Sequence, residues 1–152
     1  MPRHRIQQLH PADIQLLRSL LKLFGDAFEE PQTYISNQPG DSYLEKLLAQ
    51  DSFIALVASC ENEVVGGLTA YELPKFEQER SEIYIYDLAV SAVHRRNGVA
   101  TALIEKLKAL AAERGAWIIF VQADYGDDPA IALYTRLGSR EDVLHFDINI
   151  SK

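Results

Sequence analysis

Apolar residues recur along the chain in two periods. Ile14, Leu17, Leu20, Leu21, Phe24 and Phe28 fall at three- and four-residue steps, the spacing that lines one face of a helix. His10-Pro11-Ala12-Asp13 supplies its start, with a proline and an acid in the first turn. Gly25 interrupts the end of the stripe, Pro31 and Asn37-Gln38-Pro39-Gly40 predict a loop, and a second helix opens at Asp41 with Leu44, Leu47 and Leu48 inward. A short strand over 5–9 precedes these helices. Residues 53–58 and 64–73 read as antiparallel strands joined at Glu61-Asn62-Glu63, and a charged loop over 74–81 leads to a longer strand, 82–90. That strand runs through Ser91-Ala92-Val93-His94-Arg95-Arg96-Asn97-Gly98 into an amphipathic helix over 99–114 that stops at Gly115. Residues 116–123 form a continuous apolar strand, followed by an acidic loop at 124–129, a short helix to Gly138 and a last strand near 143–150. The order predicts an α/β (α+β) chain, a mixed sheet of six strands with four helices packed on it.

Composition narrows the class. With 152 residues, 47% of them hydrophobic, the chain can fill one core, so a single domain over 1–152 is expected. The 22 acidic against 15 basic residues give a net charge of −7, a poor match for nucleic acid and a good one for a polycationic ligand. The single cysteine, Cys60, cannot form an internal disulfide, which fits a reducing compartment, and a cytoplasmic location is expected. Met1-Pro2-Arg3-His4-Arg5 is followed by Gln7 and Gln8, which predicts no leader, and no apolar run suits a membrane span. His4, His10, His94 and His145 lack metal-ligand spacing, so no metal is expected. Neither a Gly-x-Ser-x-Gly elbow nor a Gly-x-x-x-x-Gly-Lys loop occurs, which disfavours a serine hydrolase and a P-loop kinase. Trp117 and Phe120 read as core.

The chemistry concentrates where the strand over 82–90 feeds the next helix. A strand, a glycine-containing loop and a helix start present backbone N–H groups at the positive end of a helix dipole, which suits an anion such as phosphate. On a net negative chain, the adjacent Arg95 and Arg96 are a local exception that fits an acidic ligand. Asp87 breaks the pattern of its strand. Strict alternation would place it with Ile83 and Ile85, opposite Tyr84 and Tyr86, so either a carboxylate faces apolar neighbours or a bulge re-aims it. The bulge is the expected solution.

Leu88-Ala89-Val90, Arg95-x-x-Gly98-x-Ala100 and Ala132-Leu133-Tyr134-Thr135-Arg136-Leu137-Gly138 together resemble the GNAT superfamily of acetyl-CoA-dependent N-acetyltransferases. The resemblance implies the GNAT fold, a mixed, mostly antiparallel sheet of six to seven strands flanked by about four helices. It also implies that Leu88, Ala89 and Val90 bind pantetheine and thioester through their main chain. The loop Arg95, Arg96, Asn97, Gly98, Val99, Ala100 and Thr101 would hold the CoA pyrophosphate. Longer runs, Lys75-Phe76-Glu77-Gln78, Ser81 through Val90, Gln122 through Ala130 and His145-Phe146-Asp147-Ile148, are similar to the type I aminoglycoside 3-N-acetyltransferases. That likeness implies acetyl transfer from acetyl-CoA to the 3-amino group of deoxystreptamine antibiotics such as gentamicin, by direct attack in a ternary complex, and a homodimer. It assigns Asp87 to the substrate amine and Tyr134 to the CoA sulfur.

Asp124, Asp127 and Asp128 lie within five residues, and with Glu82, Tyr84, Asp87 and Tyr125 they are the candidate contacts for a cationic substrate. Asp127-Asp128-Pro129 also reads as a helix cap. Many GNAT enzymes carry Asn at the position of Asp127 for a CoA contact, so CoA, cap and antibiotic stay open for it. Two other readings remain: a GNAT acetyltransferase of polyamines or other small cationic amines, and a non-catalytic acetyl-CoA sensor. The presence of both Asp87 and Tyr134 counts against the sensor.

Overall fold

A computed structural model describes residues 4–151; the start of the N-terminal reading, Met1-Pro2-Arg3, lies outside the described residues. The strands are β1 (Arg5–Gln8), β2 (Phe53–Cys60), β3 (Glu63–Pro74), β4 (Ser81–Val90) and β5 (Ala116–Val121). The helices are α1 (Ile14–Ala27), α2 (Pro31–Tyr34), α3 (Asp41–Ala49), α4 (Val99–Glu113) and α5 (Asp128–Leu137). The chain divides into two compact units, Met1–Gln122 and Ala123–Lys152.

The first unit holds the sheet, in order β1-β2-β3-β4-β5. The first four strands pair antiparallel, and β5 joins β4 in parallel. A parallel neighbour needs a crossover, and α4 is that crossover. The three-to-four-residue stripe of α1 buries Ile14, Leu17, Leu20, Leu23 and Phe24 against Leu44 and Leu48 of α3 and Phe53, Ala55 and Val57 of β2. Consecutive glycines of β3 mark the two faces of the sheet. A side chain on Gly67 would run into Leu20 of α1, whereas one on Gly66 would fall 3.1 Å from Val99 of α4. Buried Val99, Leu103, Ile104, Leu107 and Ala111 form the inner side of α4.

In the second unit, α5 opens on Asp127, whose Oδ1 accepts the Ala130 N–H at 3.3 Å. Pro129 sits in the first turn, where its missing N–H costs nothing. Beyond α5, Arg140 lies over the Tyr125 ring at 5.8 Å and bonds Asp142 at 2.9 Å.

Two expectations need correction. The sheet has five strands among the described residues, not six to seven, because 143–150 forms no ladder there. An alternating pattern expresses strand propensity, but a strand exists only where a neighbour accepts its hydrogen bonds. Among the described residues the α-helices number five rather than about four, since α2 forms inside the predicted loop. Within α1, Gly25 is buried because Tyr34 and Ile35 pack against it, with the Tyr34 Cβ 3.3 Å from where its own Cβ would stand.

Candidate active site

The pairing of β3 with β4 slips at one place. Thr69 faces Asp87 while Ala70 faces Ile85, so Tyr86 is an extra residue and β4 bulges there. This resolves the conflict at Asp87. Ile83 and Ile85 stay in the core at 0% and 2% exposure, and Asp87 turns to the face shared by Thr69, Tyr71 and Tyr84. The Tyr34 hydroxyl of α2 donates to Asp87 Oδ1 at 3.1 Å.

Tyrosines crowd this face. The Tyr71 and Tyr86 rings are 6.0 Å apart, Tyr84 and Tyr86 are 5.5 Å apart, and Tyr84 stacks on Phe120 at 4.6 Å. Tyr84 also donates to Gln122 Oε1 at 2.9 Å. Burial raises the Asp87 carboxyl above the usual aspartate range; the Tyr34 bond pulls it back down and the charge of Glu30 pushes it up. Tyr34 is itself raised, by burial first and then by the neighbouring Asp87 charge.

Beside the bulge the sheet opens. Pairing with β5 ends at Ile85 and Val121, yet β4 continues to Val90. Residues 86–90 therefore hold β3 on one edge and have no β5 partner on the other among the described residues. A chain-like ligand can take main-chain hydrogen bonds from Leu88, Ala89 and Val90 along such an edge.

At the end of β4, Arg95 Nε donates to the Val90 carbonyl at 3.3 Å, and His94 Nδ1 lies 2.8 Å from Ser91 Oγ. Arg96 at φ 65° and Gly98 at φ 77° then turn the loop through two left-handed positions. The first helical bond of α4 runs from Ala102 N–H to Gly98 C=O, so the Val99 and Ala100 N–H groups precede the ladder, as an anion site requires. A Cβ on Gly98 would meet nothing within 4 Å, which leaves room for a phosphate close to the backbone. Free strand edge and helix start follow each other in the chain and fit the extended tail and diphosphate of CoA.

Not every candidate gathers here. Glu82 pairs with Lys75 at 3.6 Å and stands at the other end of β4, roughly 15 Å along the strand from Asp87. Asp124, Tyr125, Asp127, Asp128 and Tyr134 belong to the second unit. There Asp127 caps α5, Tyr125 lies under Arg140, and the Tyr134 phenol is pushed up to about 12 by burial and by Asp127. Sequence reasoning missed Tyr34 and Glu30. Pro31 directly after Glu30, a residue suited to a helix's first turn, was the available signal. Among the described residues no cluster of three or more His, Cys, Asp or Glu is placed to hold a metal, and no helix is long and apolar enough to cross a membrane.

Comparison with known proteins identifies the family. An aminoglycoside acetyltransferase, HMB0005, from an uncultured soil metagenomic sample shares 59% identity over 98% of this chain and 99% of its own, with a TM-score of 0.97. Another from such a sample, meta-AAC0020, solved in complex with sisomicin, shares 35% identity over 97% of each chain, with a TM-score of 0.89. The N-acetyltransferase 8B of Rattus norvegicus is 25% identical over 125 residues, and the match takes in 74% of this chain but only 56% of the rat protein. The model of the acetyltransferase (GNAT) family matches residues 17–139, a stretch that holds the bulged strand, the glycine loop and α5, and the chain belongs to that family.

Proposed function

We propose that the protein transfers the acetyl group of acetyl-CoA to the 3-amino group of the deoxystreptamine ring of aminoglycosides such as gentamicin, by direct attack in a ternary complex. The observation that carries this reading is Asp87, a half-buried carboxylate turned out of the core by a bulge beside an open strand edge. Its aminoglycoside specificity is supported by the 59% identity with an aminoglycoside acetyltransferase. Acetyl-CoA, the acyl donor of the family, supplies a thioester.

The chain's residues divide the remaining work. Leu88, Ala89 and Val90 hold the donor along the free edge of β4. Arg95, Arg96, Asn97, Gly98, Val99, Ala100 and Thr101 hold its diphosphate, and Asp127 adds a contact while capping α5. Asp87 orients the substrate ammonium and takes up its proton; its raised pKa makes it a better acceptor than an ordinary aspartate. Tyr134, pushed up to about 12, keeps its proton at working pH, so it contributes a donated hydrogen bond to the departing sulfur rather than the proton itself. Tyr84, on the same face as Asp87, is a proposed wall of the antibiotic site, and Asp124, Tyr125 and Asp128 are proposed contacts for the ammonium groups of the antibiotic. The proposed assembly is one acetyltransferase domain per chain in a cytoplasmic homodimer, a reading supported by the family match over 17–139 and by the single cysteine.

Thiol release measured with a panel of aminoglycosides and polyamines, with mass spectrometry locating the new acetyl group, tests this. Gentamicin and sisomicin should be modified on the 3-amino nitrogen. Turnover confined to polyamines would overturn the antibiotic assignment, and no release with any amine would leave a binding protein.

A further inference from the structure

We propose that Tyr34 is a positioning residue for this reaction: its phenol holds one oxygen of the Asp87 carboxylate and leaves the other aimed at the incoming amine. The inference rests on the assignment of Asp87 to the substrate amine.

The Tyr34 ring is fixed by Phe24 of α1 at 5.9 Å and by Phe28, just past the end of α1, at 5.6 Å. Its turn of helix sits close on α1 because Gly25 has no side chain to hold it off, and the Glu30 N–H bonds the Gly25 carbonyl at 3.0 Å. From that support its hydroxyl reaches Oδ1 of Asp87 at 3.1 Å. Among the described residues this is the one side-chain hydrogen bond to Asp87. The titratable and charged groups facing the carboxylate are Glu30 ahead of α2, Tyr34 on α2, Tyr71 on β3 and Tyr84 on β4. None of them is a cation. An ionised carboxylate half-buried beside another acid needs a donor, and an unheld one can rotate away from the amine. One phenol answers both needs, because a carboxylate accepts at several lone pairs and Tyr34 occupies only one oxygen.

Tyr34→Phe keeps the ring contacts and removes the bond. We expect kcat/KM for gentamicin to fall about 10-fold, the worth of one hydrogen bond to a charged group, with acetyl-CoA affinity unchanged. Because the bond lowers the Asp87 pKa, its loss should move the acid limb of the kcat/KM profile to higher pH. The amine titrates identically for both enzymes, so a displacement between them belongs to the protein. In an Asp87→Asn background the same change should cost less than about 2-fold, since its effect runs through Asp87. An unmoved acid limb, or an equal cost in both backgrounds, would make Tyr34 a packing residue and overturn the proposal. Asp87→Asn turning over gentamicin at the wild-type rate would instead remove Asp87 from the reaction, and the role of Tyr34 with it.

Discussion

A carboxylate that a protein buries for chemistry works against the fold that holds it. Burial is the largest influence on Asp87 and raises its pKa above the unfolded value, so the folded state holds its proton more tightly. The resulting stabilisation is present in full below the unfolded pKa, near 3.9, and is lost as pH rises through the higher folded value. At neutral pH the ionised group therefore destabilises the native state. Asp87→Asn, which still accepts from Tyr34 and carries no charge, should raise the melting temperature at pH 7.5, and the gain should shrink as pH falls toward about 4. The same variant should lose on the order of 10²-fold in turnover of gentamicin, because an amide takes up no proton, while binding acetyl-CoA as the wild type does. Calorimetric scans at the two pH values and thiol-release kinetics check both halves. A variant that is slow and less stable would point to damaged structure rather than lost chemistry.

At the level of elements, two devices make the site: a one-residue bulge in β4, and a loop that enters α4 through left-handed turns. The bulge was legible because Asp87 sat where alternation demanded an apolar residue, and a strand has few ways to resolve such a conflict. The loop was legible from Gly98 ahead of an amphipathic run. Four-residue α2 was not, since one helical turn has no period to read; its place depends on the space over Gly25, a tertiary fact. The predicted strand over 143–150 failed for the opposite reason, a strong local pattern without a ladder neighbour. Gly98 allows a direct test of the loop. At φ 77° a β-branched residue is strained, and its side chain would fill the open space where the phosphate is proposed to lie. Gly98→Val should weaken acetyl-CoA binding by about 10-fold or more in isothermal titration, with far-UV circular dichroism unchanged. Normal affinity in a folded variant would move the diphosphate elsewhere.

Across the whole molecule the charge is uneven in a way that suits two substrates of opposite sign. The chain carries −7 overall, yet Arg95 and Arg96 stand together at the start of α4, where the acidic donor is proposed to bind. An acidic body attracts a polycation from a distance, and that attraction is felt only within the Debye length, about 10 Å at 0.1 M salt and about 3 Å at 1 M. Steering acts on encounter, so salt should lower kcat/KM and leave kcat nearly constant. For gentamicin, raising potassium chloride from about 20 to about 300 mM should reduce kcat/KM on the order of 10-fold. A small monoamine acceptor, with one charge to steer, should lose far less over the same range. If both acceptors decline in parallel, the acidic surface is a matter of solubility alone, and the antibiotic is gripped by short-range contacts at the tyrosine-lined face around Asp87.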